Sequence, residues 1–154
     1  MGTMDLLQLL RETRTEILEQ ALRSLSRSGL PHYSAAAEES NRRRLSDLYD
    51  VTMQCVVRRT LAPIEAHARF IARERFRDGF GLREVHTAFN VLEEELWHAV
   101  TVFLLPHQYS EALGLVSSVL GAGKQALAVE YVELADPTAR VAALDVAALF
   151  RGTA

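Results

Sequence analysis

Residues 79–104 read GFGLREVHTAFNVLEEELWHAVTVFL. From Leu82 onward the apolar side chains Leu82, Val85, Phe89, Leu92, Leu96, Val100 and Phe103 step by three and four. That is the period of an α-helix with one buried stripe, not the alternation of a strand. Gly79 suits a left-handed helix end, Gly81 can begin the next helix, and Pro106 stops it. The stretch predicts a helix from Leu82 to about Leu104, entered through a tight corner.

The same signals recur on both sides. Upstream, the spacing predicts a helix over Pro63–Asp78 with Ile64, His67, Phe70 and Ile71 inward and Arg69, Arg73, Glu74 and Arg77 outward. Before it, a helix beginning near Ser34 or Glu39 and reaching Thr60 carries the stripe Leu45, Leu48, Thr52, Cys55 and Val56. The first helix, Asp5–Ser28, is capped by Thr3 or Asp5 and ends at Gly29 ahead of Pro31. Its stripe is Leu6, Leu10, Ile17, Ala21 and Leu25.

Downstream, His107–Leu134 has two apolar faces. One is Tyr109, Leu113, Val116, Leu120, Leu127 and Tyr131; the other is Ala112, Leu115, Val119, Ala122, Ala126 and Val129. A helix apolar all round is either central to the core or shared with a partner. We expect one face on the core and the other on a second copy, with Leu113, Val116, Leu120, Leu127 and Tyr131 as the dimer interface. Gly114, Gly121, Ala122 and Gly123 keep this helix slim for close contact, at about 1 kcal/mol of helix propensity per glycine. A short amphipathic segment, Val141, Leu144, Ala148, Leu149 and Phe150, follows Asp136-Pro137 as a short helix or tail over 136–154.

The reading is a single all-α domain over residues 1–154, a bundle of five to six helices. Hydrophobic residues make up 49% and charged residues 24% of the 154, an ordinary globular balance. There is no unbroken apolar run of roughly 18 residues, so a membrane-spanning helix is not expected. The N-terminus lacks a basic region before an apolar core, and Leu6 stands where myristoylation wants Ser or Thr. The expected location is the cytoplasm, with no membrane contact.

Charge argues against nucleic acid as a partner. The net is −3, divided into +3 over residues 1–77 and −6 over 78–154. Arg42-Arg43-Arg44 has the composition of a phosphate or acidic-partner patch, but is read in preference as a solvated helix start facing the acidic half of another subunit or helix.

No catalytic constellation is visible. Gly-x-Ser-x-Gly is absent, and the single cysteine, Cys55, lies in an apolar stripe where a thiol is inert packing. Gly121-Ala122-Gly123-Lys124 is similar to the end of a phosphate loop, but Gln125 follows the lysine and the segment is helical. Glu95 and His98 form one Glu-x-x-His unit, where a di-iron bundle needs two. His67 and His86 fall near apolar stripes. A haem or metal held by His67, His86 or the Glu95/His98 pair is the alternative to a chain without cofactor, and a Soret band or stoichiometric iron would mark it. Without Cys-x-x-Cys-His, haem would not be covalent. Trp97, Phe89 and Phe103 are expected in the core.

The stretch Arg69 to Phe89 also resembles a known family. An Arg-rich helix end, then Gly79-Phe80, Leu82, Glu84 and Val85, then a periodic helix, is similar to the N-terminal sensory domain of RsbR-type stress regulators. The likeness covers about residues 40–105. It implies a globin-like bundle without haem, non-enzymatic, dimerising through its C-terminal helices, and sensing a small ligand or docking a regulatory protein. In that family the domain precedes a sulfate-transporter/anti-sigma-antagonist output domain. No such domain follows within these residues, and the chain is expected to be a free-standing member or a fragment of a longer regulator.

Overall fold

The computed structural model describes residues 2–34, 37–136 and 138. These form six α-helices: α1 (Leu6–Glu12), α2 (Arg14–Ser26), α3 (Glu38–Arg58), α4 (Ala62–Arg77), α5 (Leu82–Phe103) and α6 (Tyr109–Ala135). Single 3-10 turns sit at Pro31–Tyr33 and Pro106–Gln108, and no strand occurs among the described residues. The tail expected at 136–154 lies outside the described residues, apart from Asp136 and Thr138.

The first helix starts as expected, with the Asp5 carboxylate accepting from the Gln8 N–H at 2.8 Å. It does not run unbroken to Ser28. At Thr13 the hydroxyl turns back to the Leu9 carbonyl at 2.6 Å, and the Tyr49 hydroxyl of α3 donates to the Leu10 carbonyl. A side-chain hydroxyl competing for helix carbonyls bends or divides a helix. α1 and α2 are the two pieces.

In α3 the whole expected stripe is buried. In α4 the buried line is Ile64, Ala68, Ile71, Ala72 and Arg75. Phe70, read from the sequence as inward, is 62% exposed and lies on the other flank of that line. The two alanines are small enough to let α6 lie close along α4, the most extensive helix contact in the bundle.

α5 buries Val85, Phe89, Leu92, Leu96 and Val100 as its period requires. Two expectations fail at its far end. Phe103 and Trp97 are both 45% exposed. Leu104, where the backbone becomes extended with ψ 164°, turns into the core instead of Phe103. Trp97 lies over α6, its indole N–H donating to Ser117 Oγ at 2.9 Å.

α6 is the bundle's central helix. Val116, Leu120 and Leu127 have no exposure, and Tyr131 has 5%. One 18-residue window within its span Pro106–Ala135 has a mean hydropathy of 1.4, a level that the central helix of a helical bundle reaches as readily as a membrane span. Within the bundle, α4 and α5 pack on its apolar side. Close approach is needed at only one of its glycines. A Cβ on Gly123 would stand 2.8 Å from both Ile64 Cγ1 and Phe89 Cε1, while Gly114 and Gly121 have nothing within 4 Å.

Candidate functional site

The corner between α4 and α5 organises the site. Gly79 closes α4 with φ +85°, a conformation that side chains other than glycine's adopt only with strain. Gly81 begins α5, and its N–H donates to Glu84 Oε1 at 3.2 Å. Between them Phe80, 6% exposed, is driven inward.

Four elements converge on this residue, three of them on its ring. His32, from the 3-10 turn, stacks on it with centroids 3.9 Å apart and planes 19° from parallel. The Arg44 guanidinium of α3 lies 5.0 Å from the ring centroid and that of Arg75 of α4 lies 5.7 Å away. Both are within cation–π range. Tyr131 of α6 donates its hydroxyl to the Phe80 carbonyl at 2.9 Å and packs edge-on to Phe76 at 5.7 Å. Burial pushes the Tyr131 phenol up to about 12 and raises Tyr33 as well, so both are neutral donors at ordinary pH.

Beside this hub, α3 and α4 part over α5 to leave a cleft of about 310 Å³. Its floor is Leu25, Leu45, Leu48, Ile71, Val85 and Phe89, all buried. Arg43, Asp47 and Phe70 stand exposed at its mouth, while Arg44, His67, Glu74 and Arg75 line the wall. The volume is at the low end of the range for small-molecule sites, and an apolar floor with few polar groups is their usual make-up.

The wall's electrostatics follow from burial. The Arg75 side chain is only 8% exposed and pairs with the neighbouring Glu74 carboxylate. Arg44 donates to Asn41 Oδ1 at 3.2 Å. Burial, and then the proximity of Arg75, lower the Arg44 pKa. Burial likewise lowers the His67 pKa and favours neutral imidazole.

Glu84 ties the corner to the 3-10 turn. Its Oε2 is 2.6 Å from His32 Nδ1, and its backbone carbonyl accepts from Tyr33 at 2.7 Å. Burial pushes the carboxyl up, but the hydrogen bonds from His32 and the Gly81 N–H outweigh it and hold it below 4.5. Unfolded chains therefore take up protons first as pH falls, at His67 below its ordinary 6.5 and at Glu84 below its ordinary 4.5. The His67 contribution is present above about pH 6.5 and the Glu84 contribution above about 4.5, and each is lost as pH falls through its window. Urea midpoints measured against pH are expected to lose the upper window in His67→Gln and the lower one in Glu84→Gln.

The other residues singled out from sequence are scattered. Arg42 pairs outward with Glu19 of α2 at 3.1 Å, as a solvated face would, while Arg43 and Arg44 turn to the cleft. His86 sits with Nε2 3.4 Å from the Lys124 carbonyl, and the Lys124 ammonium pairs with Glu93 at 2.8 Å. Glu95 and His98 flank a groove beside α2, with His98 exposed. Among the described residues, no three His, Cys, Asp or Glu side chains gather as a metal site would require. Cys55 is buried, and burial raises its thiol pKa.

The proposed dimer residues fare differently. Val116, Leu120, Leu127 and Tyr131 belong to the core of a single chain, and Leu113 is half-buried. Side chains covered by their own chain have no surface to offer a second. The buried stripe draws on both expected faces: Ala112 and Val119 of the second join Val116, Leu120, Leu127 and Tyr131 of the first around Gly123, against which Ile64 of α4 and Phe89 of α5 stand. What stays open on α6 is the remainder of the second face, where Leu115, Ala122 and Ala126 are half-buried and Val129 is 48% exposed.

Sequence reasoning missed the hub itself. Phe80 was legible only as punctuation between two glycines, and Arg75 only as one residue of an Arg-rich helix end. No known protein family, curated protein or solved structure matches the chain.

Proposed function

We propose that this chain is a non-enzymatic sensory domain of the kind that stands at the N-terminus of RsbR-type stress regulators. In this reading it is a cytoplasmic, globin-like bundle without haem that takes a small ligand in the α3–α4 cleft or docks a regulatory protein. It transmits the event through a dimer of copies packed on the open face of α6. The observation that carries the reading is the cleft, an apolar floor with charged walls in direct contact with the Phe80 hub.

The hub supplies a route for transmission. Arg75 lies on the cleft wall and on Phe80, and Phe80 is bonded to Tyr131. Tyr131 is two residues from Val129 on the outer face of the same helix. An occupant that displaces Arg75 would bear on the seating of α6, and a ligand shifts an equilibrium by its differential affinity for the two packings.

Sedimentation velocity tests the assembly. The expected result is a dimer at micromolar concentration that Val129→Glu converts to a monomer with unchanged helix content. A wild-type monomer, or a dimer indifferent to Val129→Glu, would refute transmission through α6.

A further inference from the structure

We propose that the α3–α4 cleft binds a small organic anion, its carboxylate held by the Arg44 and Arg75 guanidinium groups and its apolar body laid on Leu45, Leu48, Ile71 and Phe89. This rests on the sensory reading and names the class of ligand.

The first argument is charge. Three arginines and two acids line the cleft, and burial keeps His67 toward its neutral form. Glu74 is committed to Arg75, and Asp47 stands at the mouth with Arg43. Arg44 has no carboxylate on it among the described residues; its wall partner is the neutral Asn41 amide. Two guanidinium groups brought to one aromatic ring repel each other, and a bridging carboxylate removes that repulsion.

The second argument is hydrogen bonding. Among the described residues Arg75 uses Nη1 on Glu74, and Arg44 uses Nη1 on Asn41. A guanidinium holds further donors in a fixed planar fork that matches a carboxylate bidentately. Every buried side-chain nitrogen and oxygen among the described residues has a partner, so the remaining donors are on accessible surface. The third argument is the floor. The cleft is bounded by Leu25, Leu45, Leu48, Ile71, Val85 and Phe89, so a hydrocarbon or aryl body has apolar neighbours there that an inorganic anion cannot use.

The test uses hexanoate and phenylacetate, with hexanol and phenylacetamide as uncharged counterparts and inorganic phosphate as a bodiless anion. Binding to the whole chain is followed by proton–nitrogen NMR, including the arginine side-chain signals. The organic anions are expected to shift Arg44, Ile71, Arg75 and Phe80, and to bind about ten-fold more tightly than their uncharged counterparts, the scale of one charge-assisted hydrogen-bonded pair. Arg44→Met and Arg75→Met should each erase that preference. Arg75 is buried, so should Arg75→Met fail to fold, the half-exposed Arg44→Met decides the matter.

Equal binding of acid and uncharged counterpart would overturn the anion site. Phosphate binding as tightly as hexanoate would overturn the role of the apolar floor. Shifts that map elsewhere, or no shifts at all, would overturn both. None of these results removes the dimer-based reading, which falls only on the sedimentation result.

Discussion

Phe80→Ala is expected to lower the unfolding free energy by about 3–5 kcal/mol, the cost of emptying a fully packed phenylalanine site. Phe70→Ala is expected to change it by less than about 0.5 kcal/mol, as exposed substitutions do. The contrast comes from burial, 6% exposure against 62%. It is sharpened by what the ring covers. Removing it takes the stacking partner from His32 and leaves two guanidinium groups beside an empty space. Urea denaturation of the two variants against wild type measures both values. A mild loss in Phe80→Ala, comparable to that in Phe70→Ala, would mean that the corner is not a packing centre.

Gly123→Val is expected to cost about 1–3 kcal/mol through overpacking, even though valine has the better helix propensity. The added Cβ alone meets Ile64 and Phe89 at 2.8 Å, so α4, α5 and α6 must separate or their side chains must leave their rotamers. Gly121→Ala is the matched control. Nothing lies within 4 Å of its Cβ, and it should stabilise the helix by up to about 1 kcal/mol. Thermal unfolding should show the two shifts in opposite directions. If both variants were stabilised, the central crossing of the bundle would be looser than described.

The helices were legible because their signals are local. Period, proline and glycine placed α3, α4 and α5 to within a few residues, and Gly79 was identified as the left-handed corner that φ +85° confirms. What escaped was set by partners distant in sequence. The break at Thr13 depends on Tyr49, thirty-nine residues beyond the Leu10 carbonyl it binds. Phe103 yields its place in the core to Leu104 because the chain turns extended there, and Phe70 yields its place to the alanines that α6 needs. On α6 both faces are apolar, so periodicity carried no sign that the core stripe would draw on both of them. The cleft wall and the hub beside it were invisible for the same reason. Arg44, Arg75, Phe80 and His32 come from separate elements, and each alone reads as surface charge or turn.

In the proposed mechanism, occupancy of the cleft and association through α6 are one coupled equilibrium. Linkage makes the coupling reciprocal and gives it a scale of roughly 5- to 150-fold. The direct test is the dimer dissociation constant of the wild-type chain, measured by sedimentation with and without saturating phenylacetate. The expected shift is about five-fold or more, abolished in Arg44→Met. An identical constant with the cleft demonstrably filled would contradict it.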